Sequence, residues 1–147
     1  MTIPTIPDTC IMHTTYRLLR RADACKNRYT VFLKAATALG YKGDTTPVPL
    51  TVLLQTNGLV DCLWALRAVL PGEEVLRDKL TRLLACDYAE HVFPVFEALY
   101  PNDHRPREAI AVSRRFALGQ ATQQELRDAR RAAGDACAAA QAAWDAA

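Results

Sequence analysis

Eleven of the nineteen residues from Ala129 to Ala147 are alanine. Alanine forms helix more readily than any other residue, because its side chain loses no freedom there and buries no polar group. The chain therefore ends in helix, with a side-chain layer thin enough for a neighbouring helix to approach closely. The start of this helix is marked by Thr122-Gln123-Gln124-Glu125, which fits a capping box. Leu126, Ala129, Ala133, Cys137, Ala140 and Trp144 recur at threes and fours. That seam suits either the protein's own helices or a second subunit, so a homodimer through the C-terminal helix is one expectation.

Helical spacing continues upstream. Residues 14–39 read as one helix or two short ones, with Tyr29, Phe32, Leu33 and Ala36 on one face and Gly40 as a stop. Residues 40–48 form a loop. Pro49 opens a short helix with Leu50, Leu53 and Leu54 on its apolar side. A further helix from Leu59 to Leu70 carries the stripe Leu59, Leu63, Leu66 and Leu70, beside Trp64. Pro71-Gly72 ends it. A long helix from about Glu73 to Leu99 is expected to bury Val75, Leu76, Leu80, Leu83 and Leu84, and Pro94 to kink or divide it. Another runs from about Pro106 to Leu118, closed by Gly119. No segment of five or more residues alternates cleanly, and Thr45 to Leu54 is the one place for a short strand. The expectation is an all-α, compact single-domain bundle of about five to seven helices. Residues 1–13, with two prolines, form an N-terminal arm. Residues 14–147 form the helical domain, with sub-modules at 14–70 and 73–147.

The five cysteines are odd in number, and no two lie closer than 15 residues. Zinc sites normally include a close Cys pair, so no metal is expected and the cysteines read as small buried hydrophobes. No phosphate-binding loop, dinucleotide fingerprint, nucleophile elbow or zinc-protease motif occurs. Cys86 and His91 are five residues apart and do not share a helix face. No catalytic residue and no cofactor is assigned. No stretch is long and apolar enough to span a membrane, and residues 1–4 do not begin a secretory signal, so the expected location is cytoplasmic.

The net charge of +2 is unevenly spread. Residues 1–50 carry seven Lys/Arg and three Asp/Glu, residues 51–100 four and seven, and residues 101–147 seven and six. A basic beginning and an acidic middle can steer a partner. Arg17, Arg20, Arg21 and Arg28 share one face if residues 14–39 are a continuous helix. They are candidates for contact with an acidic protein face or with phosphates; the alternative is a solvated face opposite Tyr29 and Phe32. In the tract Tyr100 to Ile110, Asp103, Arg105 and Arg107 are further candidates, since two arginines offer bidentate donors. The alternative there is structural. Asp103 caps the next helix, and Arg105 or Arg107 pairs with Asp87, Glu90 or Glu97.

Cys86-Asp87-Tyr88-Ala89-Glu90, Pro94-Val95-Phe96-Glu97, the tract Pro101 to Ile110, Gly119 and the Ala-Arg-rich helix together resemble a helical immunity protein domain of bacterial and phage reading frames, over about residues 76–140. Ala24-Cys25 to Phe32, with Asn57-Gly58-Leu59 through Trp64, resembles a module of small phage accessory proteins. The first resemblance implies a helical, non-enzymatic protein that binds and blocks another protein, and it supplies no catalytic residues. The expected function is a protein-binding inhibitor from a phage or mobile element. Its target is a toxin or a host defence complex, the latter in the manner of an anti-CRISPR protein. The alternative is a nucleic-acid-binding accessory protein using the basic N-terminal face.

Overall fold

The structure, a computed structural model, describes residues 11–145. Most of the expected arm, Cys10 and the side chain of Trp144 lie outside what is described. In order come β1 (His13–Thr14), α1 (Tyr16–Arg21), α2 (Lys26–Ala38), β2 (Val48–Pro49), α3 (Leu50–Asn57) and α4 (Leu59–Ala65). A 3₁₀ turn (Leu66–Ala68), α5 (Glu74–Leu99), α6 (Arg105–Ala117) and α7 (Gln123–Asp145) follow. The described chain is thus predominantly helical, with seven α-helices, as the periodicity requires. The two-residue strands pair antiparallel, His13 with Pro49 and Thr14 with Val48, which places a minimal strand inside Thr45–Leu54. No helix among the described residues is long and apolar enough to cross a membrane. The chain divides into two compact units, residues 1–77 and 78–147.

In the first unit Tyr16, Leu19, Phe32, Ala36, Val48, Leu50 and Leu53 join Ala65, Ala68 and Val69 in one core. Burying a large apolar side chain such as Phe32 stabilises by about 1.5–3 kcal/mol. The Tyr16 ring meets Phe32 edge-on at 5.9 Å between centroids, and its hydroxyl donates to the Tyr41 carbonyl at 2.7 Å. Thr14 is fully buried and donates to the Ala68 carbonyl at 2.6 Å. Glu73 accepts from the His13 backbone N–H at 2.7 Å and contacts its ring Nδ1 at 2.8 Å.

Residues 14–39 form two helices, for a specific reason. Thr15 caps α1, accepting from the Leu18 N–H at 3.1 Å. The helix then closes as a Schellman motif: Ala24 N–H bonds the Leu19 carbonyl and Asp23 N–H the Arg20 carbonyl. Asp23 occupies the left-handed position, with φ of +59°, where glycine is usual. Glycine takes that place after α2 and α6, at Gly40 and Gly119, with the same pair of bonds.

Other boundaries also shift. The helix expected from Leu59 to Leu70 stops at Ala65. The buried residues of that span are Ala65, then Ala68 in the 3₁₀ turn and Val69 after it, rather than the leucine stripe, of which Leu59 and Leu63 are exposed. Leu54 is exposed while Val52 is buried. The helix α5 runs unbroken through Pro94. Val75 is exposed, and the fully buried residues of α5 are Cys86 and Phe93. Cys25 and Cys137 are exposed, so only part of the cysteine set behaves as buried hydrophobe.

In the second unit α6 and α7 form the most extensive helix pair, as the thin alanine layer of α7 permits. Val112, Leu126 and Ala136 are buried there. The capping box forms: Thr122 N–H donates to Glu125 at 2.7 Å, and Glu125 N–H donates to the Thr122 hydroxyl at 3.2 Å.

Candidate protein-binding site

The two apolar faces of α5 have different fates. Cys86 and Phe93 are buried, with Arg82, Ala89 and Phe96 half-buried at helical spacing on the same side. Tyr88, Val92, Val95 and Leu99, spaced four, three and four, are 54%, 62%, 70% and 65% exposed. That spacing places all four on one side of the helix. Isolated exposed hydrophobes are ordinary, but a contiguous apolar stripe marks an interaction surface.

The three acids of α5 nearest the stripe, Asp87, Glu90 and Glu97, are held by arginines of α6. Arg114 on α6 donates to Asp87 at 2.9 Å and to Glu90 at 2.8 Å. Arg107 donates to Glu97 at 2.9 Å, and its guanidinium lies 4.8 Å over the Phe93 ring. Arg82 lies over Phe116 at 5.1 Å. The acids of α5 between Asp87 and Glu97 therefore face α6.

Between α5 and the α6–α7 pair runs an open groove of about 620 Å³. Ala85, Ala89, Ala109 and Ala133 are too short to fill it, and Phe93 and Ile110 are among its apolar lining. Val92 belongs to both the stripe and the groove lining, so the two are continuous. Cys86 also lines the groove; its thiol points to the Ile110 carbonyl at 3.7 Å. Burial, the largest cause, pushes that thiol above its ordinary pKa, the direction away from a reactive thiolate. His91 is exposed and, five residues after the buried Cys86, lies on a different side of α5.

The connector before α6 is self-satisfied. Asp103 accepts from the Arg105 backbone N–H at 3.2 Å and from its guanidinium at 2.9 and 2.7 Å. That guanidinium holds the Asp103 carboxyl below its ordinary pKa. Helix α6 begins at Arg105, one residue earlier than expected, and His104 at its N-cap makes no capping side-chain bond. Arg107 takes Glu97 as expected. Asp87 and Glu90 go to Arg114, which sequence reasoning missed. Arg107 and Arg114 lie seven residues apart, with Ile110 and Ala111 between them, and that heptad spacing was the available signal.

The N-terminal arginines do not share one continuous helix. Arg17, Arg20 and Arg21 lie on α1, Arg28 on α2, and the turn at Asp23 breaks the helical phase between them. Arg20 donates to the Tyr29 hydroxyl at 2.9 Å and to Asp44 at 2.6 Å. Arg28 pairs with Asp61. Arg17 and Arg21 are exposed and make no ion pair among the described residues.

Residues 76–147 match the model of a family described as Imm-5 like putative immunity protein. The match begins at the residue where the sequence resemblance begins and covers α5 from Leu76, α6 and α7. The match spans 72 of the 147 residues, just under half of the chain. No curated protein matches the chain, and no solved structure matches it.

Proposed function

We propose that this chain is a non-enzymatic inhibitor that binds a protein toxin in the cytoplasm and blocks it. The target is held on the Tyr88–Leu99 face of α5 and the groove beside it. The observation that carries this reading is the exposed apolar stripe, which lies wholly inside the segment matching an immunity family. An inhibitor needs a surface complementary to its target and no reacting group. Affinity in such interfaces concentrates in a few aromatic and large apolar anchors surrounded by polar contacts. Tyr88 and Leu99 are placed to be such anchors, and the ion pairs of Arg107 and Arg114 fix the helix that presents them. An origin in a phage or mobile element, and a defence complex in place of a toxin, belong to the same reading at a finer level.

The test expresses each open reading frame flanking the gene under an inducible promoter, with and without this chain. Rescue of growth from one killing frame is the expected result. Val92→Glu combined with Val95→Glu keeps the melting temperature, since both side chains face solvent, and abolishes rescue. Absence of any rescue sinks the inhibitor reading, and rescue indifferent to the double variant removes the α5 face from it.

A further inference from the structure

We infer that the first unit carries a small-ligand site of its own, a pocket among α1, α2, α3 and α4 that binds an organic ammonium ion with a compact apolar body. The pocket has a volume of about 280 Å³, at the small end for ligand sites. It therefore suits one ring or a short aliphatic body. The part-buried Tyr29 and Trp64 line it with Asp23, Asp61 and Arg28, while Phe32, at 1% exposed, contributes packing only. Aromatic walls with carboxylates at the same site are a setting for organic cations, because ring quadrupoles and negative charge both favour an ammonium over water.

The charge balance supports that sign. Asp61 is already committed: it accepts from Arg28 and from the Asn57 side chain at 2.9 Å. Asn57 also donates to the Arg28 carbonyl at 2.9 Å, so this wall is cross-braced from α2 to α4. Asp23 is different. It is exposed, and its carboxylate makes no ion pair or hydrogen bond among the described residues. One arginine and two carboxylates leave the lining itself with a net charge of −1, the surplus on Asp23, while Arg67, outside the lining, lies 4.9 Å over the Trp64 ring. The site lies outside residues 76–147 and stands independently of the inhibitor reading.

The experiment titrates the ¹⁵N-labelled full chain with phenethylammonium and, separately, with 3-phenylpropionate, which has a similar apolar body and the opposite charge. The Trp64 indole N–H resonance, assigned through Trp64→Phe, is the reporter. Phenethylammonium is expected to shift it with a Kd about fivefold or more below that of the carboxylate, the size of effect a single partly solvated charge gives. Asp23→Asn, which tolerates the same left-handed backbone, is expected to erase that advantage while leaving the fold intact. No shift by either compound, equal or tighter binding of the carboxylate, or a full cation advantage surviving in Asp23→Asn would each overturn the assignment.

Discussion

Arg114 Nη2 donates to Glu90 at 2.8 Å, and the same nitrogen reaches Asp87 at 2.9 Å. One cation on α6 thus holds two carboxylates one turn apart on α5. Replacing it with alanine removes two attractions and leaves Asp87 and Glu90 as like charges at i, i+3 spacing. The pairs are exposed, so the effect is modest and screened. Arg114→Ala is expected to lower the melting temperature by about 2 °C at low salt, and by less than half of that in 0.5 M NaCl. A fall independent of salt would show that Arg114 acts through packing. Arg114→Lys should recover only part of the loss, since one ammonium does not reproduce the guanidinium geometry.

The capping box gives a second expectation. Thr122→Ala should destabilise by about 1 kcal/mol, the usual cost of losing an N-cap hydroxyl. The Glu125 carboxyl is held below its ordinary value of 4.5, chiefly by the Thr122 backbone N–H and then by its hydroxyl. The folded state therefore binds this proton less readily than the unfolded state does. Its contribution is present in full above the ordinary glutamate pKa and is lost as pH falls through the lowered one. Melting curves of the parent and Glu125→Ala should differ at pH 7 and converge as pH drops below about 4. A difference that persists at pH 3 would mean the glutamate acts by packing.

Much of this architecture was legible in the sequence because the signals were local. Thr122 and Glu125 were three residues apart, Gly119 and Gly40 sat where helices must stop, and Phe32 and Ala36 shared a face. What was not legible depended on tertiary partners. Asp23 gave no glycine-like signal, yet it closes α1 and so separates Arg28 from Arg17, Arg20 and Arg21. Leu59 and Leu63 have the right spacing for a core, but the small Ala65 and Ala68 are the residues buried there, the Ala68 carbonyl accepting from Thr14. On α5 apolar residues occur on two sides. Periodicity cannot say which side is buried, so Val75 was misplaced and the Tyr88–Leu99 stripe went unrecognised as a surface.

The core of the first unit should fail at Phe32. Its ring is fully enclosed and meets Tyr16 edge-on, so Phe32→Ala forfeits burial and leaves a cavity, a cost of about 3–5 kcal/mol. Differential scanning calorimetry should show that loss, whereas Val31→Ala, one residue earlier and 52% exposed, should change little. Equal effects of the two would place the core elsewhere.

Nucleic-acid binding through the N-terminal arginines has a quantitative test. Each arginine that neutralises a phosphate releases condensed counterion, so the log–log salt slope counts contacts at about −0.9 each on duplex DNA. Arg20 is engaged by Asp44 and Arg28 by Asp61, and a phosphate would have to displace those carboxylates. That leaves Arg17 and Arg21, whose expected joint slope is about −1.8, too few contacts for stable binding at physiological salt. Fluorescence anisotropy with random duplex DNA should therefore stay flat near 150 mM salt, and any binding at 20 mM should disappear in Arg17→Glu combined with Arg21→Glu. Micromolar affinity at physiological salt with a slope of −3 or steeper would mean that all four arginines turn outward to phosphate, and that the Arg20–Asp44 and Arg28–Asp61 pairs open to permit it. Nucleic-acid binding would then be the reading of the first unit.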